Sequence, residues 1–196
     1  MNSHELILAS SSPRRRQLLT EYGYRFTIQP AKVEEVAPPH LTVAETTLFN
    51  AKLKALEVAR CHPESLVIGV DTLVALDGMP IGKPRDLSDA FAMIGRLANR
   101  VHEVYSAIWA ICLESGRSRA SIEVSHVKFR PLSEAEIRRY LARIEPLDKA
   151  GAYAAQDDGP ESVVECIEGS RTNVVGLPME ALEALLEEWE AGFAVR

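Results

Sequence analysis

Apolar and polar positions repeat along the chain with two different periods, which predict strands and helices in turn. Short apolar runs predict strands at 5–9, 24–30, 66–70, 101–113, 118–129 and 162–168. A hairpin is predicted at 73–81, because Asp77-Gly78 is a strong turn signal between two apolar runs. Apolar residues at helical spacing, together with helix-start signals, predict helices at 14–22, 42–60, 87–99, 133–144 and 178–189.

The order of these elements predicts the fold class. Strands and helices alternate but hairpins interrupt them, so we expect an α/β fold with a mixed sheet. No repeat, low-complexity stretch or linker divides the chain, and we predict one domain over 1–196. Two helix starts are well marked: Ser12 is a predicted N-cap before Pro13, and Ser133 with Glu136 forms a capping box.

Composition and charge narrow the classes of function. The chain has 22 Lys and Arg against 28 Asp and Glu, a formal net charge of -6. An acidic chain does not attract nucleic acid by bulk charge, so a bound polyanion needs a local basic cluster or a metal ion. The three cysteines are dispersed, which favours reduced thiols. No signal-like or membrane-spanning run occurs, and we expect a cytoplasmic protein without a membrane partner.

A first candidate for chemistry lies where the first strand gives way to a helix. Ser10, Ser11 and Ser12 form a turn, and arginines follow from Arg14. Free backbone N–H groups and the positive end of the helix favour an anion there, and arginine adds donors that match phosphate oxygens. Taken alone, the segment is equally typical of a capped surface helix with solvated arginines.

Carboxylates supply a second candidate. Asp71 directly follows the apolar run 66–70, where an unpaired carboxylate is costly, so a ligand or catalytic role is favoured. Glu34 and Glu35 lie in a loop and, alone, are typical of solvated charges. Together with Asp71, such carboxylates can hold Mg²⁺, which prefers oxygen ligands and often takes one or two from the protein.

Three further groups are candidates for binding, although each, taken alone, is also typical of an ordinary structural element. Lys83 lies between Gly82 and Pro84, Asn50 and Lys54 share one face of a predicted helix, and 148–153 (DKAGAY) precedes Gln156. Cations and carboxylates in this mixture suit a triphosphate bound with a metal. Neither GxxxxGK[ST] nor GxGxxG is present, so P-loop and dinucleotide-binding readings are unsupported.

Five segments of the chain, in the family's order, resemble the Maf family of nucleotide pyrophosphatases. Residues 10–15 (SSSPRR) resemble its opening signature, 71–74 (DTLV) its Asp-Thr-x-Val strand end, and 82–84 its Gly-Lys-Pro loop. Residues 148–153 with Gln156, and 169–178 ending in NVVGLP, resemble its later blocks. The resemblance implies a mixed, twisted α/β sheet with two lobes around a deep cleft, similar to the inosine triphosphate pyrophosphatases.

The resemblance also implies an activity: hydrolysis of nucleoside triphosphates to the monophosphate and pyrophosphate, with a divalent cation, Mg²⁺ or Mn²⁺. Our hypothesis makes Asp71 the proton acceptor, Glu35 and Asp71 the metal ligands, and Lys83 a third catalytic group. The predicted substrate-binding residues are Ser10, Ser12, Arg14, Arg15, Lys54, Thr72, Lys149 and Gln156. The family often has Asp-Glu where this chain has Glu34-Glu35, which leaves Glu34 without an implied role.

Substrate choice in the family tracks three positions, here Arg14, Thr72 and Gln156, and this combination resembles the subgroup acting on dTTP and UTP. The Gln156 amide can donate to one pyrimidine carbonyl and accept from the ring N–H. A possible homodimer is a family-level expectation. A different class also stays open: a nucleotide-sensing, non-hydrolytic regulator of septum formation, which has less reason to keep Glu35, Asp71 and Lys83 together.

Overall fold

The computed structural model describes residues 5–155 and 162–191. Within them lie seven strands: β1 Leu6–Leu8, β2 Thr27–Ile28, β3 Leu66–Leu76, β4 Met79–Ile81, β5 Val101–Cys112, β6 Arg117–Phe129 and β7 Val164–Glu168. They also contain helices α1 Pro13–Glu21, α2 Val43–Ala59, α3 Leu87–Leu97, α4 Glu134–Leu141, α5 Arg171–Val175 and α6 Met179–Ala191, and a 3-10 turn at Ala150–Ala152. The predicted α/β class is confirmed.

The strands form one mixed sheet, as predicted. Its order is β2-β1-β3-β5-β6-β7, and β4 pairs with the second half of β3. The pairs β2–β1 and β1–β3 are parallel, whereas β3–β5, β5–β6, β6–β7 and the short β3–β4 hairpin are antiparallel. The hairpin turns through Asp77 and Gly78, both with positive φ, as the Asp-Gly signal predicts.

Apolar side chains build separate cores along the sheet. Side chains of a strand alternate between its faces. Val67 of β3 therefore packs with α2 on one face, while Ile68 and Val70 pack with α1 and α6 on the other. Farther along the same strand, Val74 and Leu76 join a third cluster with α3 and α4. The first two clusters flank one half of the sheet and the third lies at its other half, which agrees with the predicted two lobes.

Several elements differ from the prediction. β3 does not end at residue 70 but continues through Asp71 to Leu76, because β5 pairs with it along this whole length. β2 is shorter than 24–30, and the helix Arg171–Val175 was not predicted. Ser12 is the N-cap of α1, but its side chain makes no capping hydrogen bond. The capping box at Ser133 is confirmed.

The three cysteines are free thiols, of which Cys112 is buried and Cys61 and Cys166 are exposed. Across the ranges 5–155 and 162–191, no helix is both long enough and apolar enough to cross a membrane.

Candidate active site

A gap beside β3 creates the cleft. On one edge of β3, β1 pairs with Leu66–Ile68 and β4 pairs with Val74–Leu76. Residues 69–73 lie between these partners, so none of the described strands covers that stretch of edge. A cleft of about 380 Å³ opens over it. Alternation along the strand sends Asp71 toward α2 and Thr72 toward α1, so the two neighbouring residues serve different walls of one cleft.

Every predicted site residue that the structure describes lines this cleft. The set is Ser10, Ser12, Arg14, Arg15, Glu35, Lys54, Asp71, Thr72, Lys83 and Lys149. Gln156 lies outside the described residues. The fold therefore brings together segments that are far apart in sequence, from the start of α1 to the turn before β7.

A glycine of β3 allows α2 to lie directly against the strand. A Cβ atom at Gly69 would meet Ala55 of α2, at 2.6 Å from its backbone nitrogen and 2.9 Å from its Cβ. Because the helix approaches this closely, Asn50 and Lys54 on its inner face reach Asp71, two residues along β3.

Lys54 joins two carboxylates. Its Nζ donates to Asp71 Oδ1 and to Glu35 Oε1, each at 2.6 Å. Asp71 is 2% exposed, and a buried carboxylate is tolerated only when it is paired and hydrogen-bonded. Partial burial disfavours the ionised form of Glu35, but the hydrogen bond and charge of Lys54, aided by Lys83, outweigh it and lower the pKa of Glu35. Lys54 thus donates hydrogen bonds to both carboxylates at once.

The two carboxylates fit a divalent cation. They come from different segments and converge on one positive centre, the Lys54 ammonium, at equal distances. In the ranges that the structure describes, no third His, Cys, Asp or Glu completes a metal cage with Glu35 and Asp71. A pair of carboxylates with free positions for water and phosphate is the arrangement that Mg²⁺ takes in nucleotide sites.

Arg15 braces the floor of the cleft. Its Nε donates to Gly176 O at 2.8 Å, and its other nitrogens donate to Ser10 Oγ and Val70 O at 3.0 Å and to Thr72 Oγ1 at 3.1 Å. The Val70 carbonyl belongs to the stretch of β3 edge that has no neighbouring strand. Arg15 therefore ties α1, β3 and the end of α5 together, in addition to its predicted contact with substrate.

The charge of Arg15 is costly where it lies. Burial lowers the pKa of Arg15, and the negative charges of Asp71 and Glu35 oppose this shift. Thr72 is also engaged: besides accepting from Arg15, its hydroxyl lies 2.9 Å from Ser106 Oγ. These interactions fix Thr72 in the wall rather than leave it free.

The start of α1 offers backbone donors. Ser12 N donates to Ser10 Oγ at 3.2 Å, and no side chain caps the first turn of the helix. Free N–H groups at the start of a helix, together with the positive end of the helix dipole, favour the binding of an anion.

Cations from α1 and from the loop before the 3-10 turn also line the cleft. Arg14 Nη1 donates to Asp148 Oδ2 at 3.3 Å, and Lys149 Nζ binds the same carboxylate at 2.5 Å. Partial burial raises the pKa of Asp148, but the two cations, Lys149 first, reverse this and hold it below its ordinary value. Lys83 is exposed and makes no hydrogen bond or ion pair with any residue in the described ranges. Lys52 lies off this face and stacks 4.9 Å over the ring of Trp109.

The sequence prediction omitted two residues that shape the site. Asn50 shares a helix face with Lys54 but is not among the predicted site residues, although it contacts Asp71. Asp148 belonged to a recognised block, yet its contact with Arg14 depends on how α1 faces the loop before the 3-10 turn. The four-residue spacing between Asn50 and Lys54 along α2 could have identified Asn50 as a site residue. No local feature of the sequence indicates that Asp148 contacts Arg14.

Together these features define an α/β protein whose cleft carries clustered cations, a helix start and two converging carboxylates, the equipment for a polyphosphate bound with a metal. The chain belongs to the Maf family, since the family model described as Maf-like protein matches residues 5–189.

Similar proteins cover nearly the whole chain. A dTTP/UTP pyrophosphatase from Pelotomaculum thermopropionicum is 43% identical over 94% of this chain and 96% of its own length. A dTTP/UTP pyrophosphatase from Myxococcus xanthus is 44% identical over 93% and 91%, and one from Akkermansia muciniphila is 42% identical over 89% and 90%.

Proposed function

We propose that this protein is a nucleoside triphosphate pyrophosphatase that hydrolyses dTTP and UTP to the monophosphate and pyrophosphate. The observation that carries the proposal is the convergence of Glu35 and Asp71 on Lys54 inside a cleft lined by further cations. Membership of the Maf family and the dTTP/UTP pyrophosphatase relatives support the same reaction.

In the proposed mechanism, water attacks the α-phosphorus in line with the bond to the departing pyrophosphate. Asp71 accepts the proton of this water, since its buried carboxylate lies at the floor of the cleft and is held by Lys54 and Asn50. A fixed base of this kind spares the reaction the cost of orienting an acceptor in the transition state.

Glu35 and Asp71 are the proposed ligands of a divalent cation, Mg²⁺ or Mn²⁺. When bound, such a cation neutralises phosphate oxygens and offsets the charge of the transition state. Lys54 already lies between these carboxylates, so its ammonium also limits their mutual repulsion in the free protein.

The cations of the cleft bind the triphosphate in this proposal. Lys83, which has no protein partner in the described ranges, is available for the phosphates without breaking a contact. Arg14 and Lys149 face the same space and exchange the Asp148 carboxylate for phosphate oxygens. Arg15, Ser10, Ser12 and the start of α1 supply further donors.

Base recognition is assigned to Thr72 and Gln156, with Arg14 as the third position. Thr72 lies in the wall with a fixed hydroxyl. The predicted role of Gln156 falls on a residue outside the described ranges. A single domain over 1–196, a cytoplasmic location, a possible homodimer and the absence of a nucleic-acid partner stay predictions.

A pyrophosphate-release assay tests the proposed function. The purified protein is offered dTTP, UTP, ATP, GTP and modified pyrimidine nucleotides, with Mg²⁺ and with a chelator. We expect metal-dependent release from dTTP and UTP above ATP and GTP. Tight nucleotide binding without release from any of them contradicts the enzyme and favours the non-hydrolytic regulator of septum formation.

A further inference from the structure

We propose that Asn50 is a positioning residue that holds Glu35 opposite Asp71 and thereby sets the protein's affinity for a divalent cation. The inference rests on the proposed function of the cleft, in which these two carboxylates hold the metal. Asn50 itself has no side-chain atom that reaches the Lys54 ammonium in the described contacts, so its effect passes through Glu35 and Asp71.

The loop that carries Glu35 has little structure of its own. Residues 29–38 contain no helix or strand. Backbone hydrogen bonds hold it near its two ends, where Gln29 N donates to Leu8 O at 3.1 Å and Leu41 N to Pro38 O at 3.1 Å. Lys32 N also donates to Glu57 Oε2 at 3.4 Å. Glu35 lies between these anchors and is partly exposed. Lys54 binds its carboxylate, but the backbone that carries Glu35 needs a support of its own.

Asn50 supplies that support at the next residue. Asn50 Oδ1 accepts from Val36 N at 3.0 Å, and Asn50 Nδ2 donates to Val36 O at 3.0 Å. Within the described residues, these are the hydrogen bonds that hold the backbone between Val33 and Ala37. The Asn50 amide thus pairs with both the backbone N–H and the backbone C=O of Val36, as a neighbouring strand would.

The same amide contacts the second carboxylate. Asn50 Nδ2 lies 3.4 Å from Asp71 Oδ2, while Asp71 Oδ1 binds Lys54. An asparagine amide has two N–H donors and one oxygen, so Asn50 serves Val36 and Asp71 at the same time. Asn50 is 2% exposed, so solvent cannot replace these bonds readily. One buried side chain therefore fixes the loop of Glu35 relative to Asp71.

The test compares Asn50→Leu with the wild type by titrating the nucleotide-free protein with Mn²⁺ and following the free ion by electron paramagnetic resonance. Leucine keeps a similar volume but removes every hydrogen bond. We expect the Mn²⁺ dissociation constant to rise about tenfold, the lower end of the effect of losing a residue that orients metal ligands. An excess of Mn²⁺ should restore the occupancy of the variant.

Glu57→Ala is the matched control. Glu57 is on the same helix and its Oε2 accepts from Lys32 N of the same loop at 3.4 Å, but it makes no described contact with Asp71. We expect this variant to bind Mn²⁺ as the wild type does. A melting curve of each variant in chelator separates loss of metal affinity from loss of fold.

A second measurement needs no variant. In hydrogen exchange of the wild type, the Val36 amide should exchange at least about tenfold more slowly than the amides of Glu35 and Ala37, which have no backbone partner in the described residues. Equal exchange at these three amides overturns the proposal. So does an Asn50→Leu variant with wild-type Mn²⁺ affinity, whatever its melting temperature.

The proposed function can fail separately. Suppose that the wild type releases no pyrophosphate but binds Mn²⁺, and that Asn50→Leu weakens this binding. The positioning role of Asn50 is then supported and the proposed pyrophosphatase activity is contradicted. If the wild type releases pyrophosphate but the nucleotide-free protein binds no Mn²⁺, the positioning role of Asn50 is overturned and the proposed pyrophosphatase activity is supported.

Discussion

Asp71 is the residue on which the proposed chemistry depends most. Its carboxylate is buried in the middle of β3 and receives hydrogen bonds from Lys54 and Asn50. A buried charge with these partners is held in one orientation, which suits a base that must take a proton from a defined water.

The first prediction concerns this carboxylate. Asp71→Asn should lower turnover of dTTP by about 10²–10⁴-fold, the range for loss of a general base, while most nucleotide binding remains. Steady-state pyrophosphate release and a binding titration check it. Asp77→Asn is the control, because Asp77 is an exposed turn residue paired with Arg100 and should leave turnover unchanged. Near-normal turnover in Asp71→Asn would remove the assignment.

The neighbouring arginines of α1 should differ in how much each contributes to the stability of the fold. Arg15 makes four hydrogen bonds to partners on three elements, so we expect Arg15→Met to lower the free energy of unfolding by about 2–4 kcal/mol. Arg14 makes one exposed ion pair, so Arg14→Ala should raise the KM for dTTP and change stability little. Urea unfolding and steady-state kinetics of both variants test this prediction. An equal loss of stability in the two variants would contradict it.

Some of the site could be predicted residue by residue and some could not. Asp71 stood out because a carboxylate at the end of an apolar run needs a partner, and the structure supplies Lys54. The grip of Asn50 on Val36 could not be predicted, since it depends on how an irregular loop crosses α2. Likewise, the four bonds of Arg15 require the fold to bring Gly176 beside the start of α1.

At the scale of elements, the close packing of α2 on β3 positions the site. Gly69 makes this possible, because a side chain there would overlap the helix backbone at Ala55. Asn50 and Lys54 then reach Asp71 from the same helix. The close packing of α2 at Gly69 therefore also determines the partners of the Asp71 carboxylate.

This packing gives the third prediction. Gly69→Ala should lower the free energy of unfolding by about 3 kcal/mol, the upper part of the usual range for overpacking, because the nearest atoms belong to backbone that cannot move aside. Thermal and urea unfolding measure it. Gly95→Ala is the control: Gly95 lies in α3 with its nearest neighbour 4.0 Å away, and alanine there should be neutral or stabilise by about 0.5–1 kcal/mol. Equal stability of the two variants contradicts the packing argument.

Elements were predicted best where periodicity was long. The capped helix Val43–Ala59 and the paired strands Val101–Cys112 and Arg117–Phe129 match their predictions closely. The end of β3 was missed because a polar residue inside a strand looks like its end, whereas pairing with β5 continues past Asp71. The short helix Arg171–Val175 has too few residues for a helical period to show.

At the scale of the whole molecule, stability should depend on a buried histidine. His102 is fully buried, its Nε2 lies 3.0 Å from the hydroxyl of Tyr153, and its Nδ1 has no partner among the described residues. Burial lowers the pKa of His102 to about 4. The folded protein keeps the ring neutral, whereas the unfolded chain takes up a proton below about pH 6.5, so acid favours unfolding.

The fourth prediction follows from this sign. The stability contributed by neutral His102 is complete above about pH 6.5 and is lost as the pH falls toward 4. Between pH 6.5 and 5 the loss should be about 1.6 kcal/mol, before most carboxylates titrate. Urea unfolding at a series of pH values measures it. His102→Gln should flatten the slope, whereas His126→Gln, at an exposed position, should not; a steep slope in both contradicts the role of His102.

The whole cleft also explains how an acidic chain can bind a polyanion. The net charge is -6, yet Arg14, Lys83 and Lys149 face one space between the cores of the sheet. The positive groups are gathered there by the gap beside β3 and the start of α1, not by composition. The sequence alone predicted that a local cluster of cations is needed and which residues form it. The sheet topology was needed to show that these residues line one cleft.

Isotope incorporation can show whether water attacks the α-phosphorus. The protein is incubated with dTTP and Mg²⁺ in ¹⁸O-labelled water, and the products are analysed by mass spectrometry. We expect dTMP carrying one heavy oxygen together with unlabelled pyrophosphate. Label in pyrophosphate, or formation of dTDP with labelled inorganic phosphate, would contradict it.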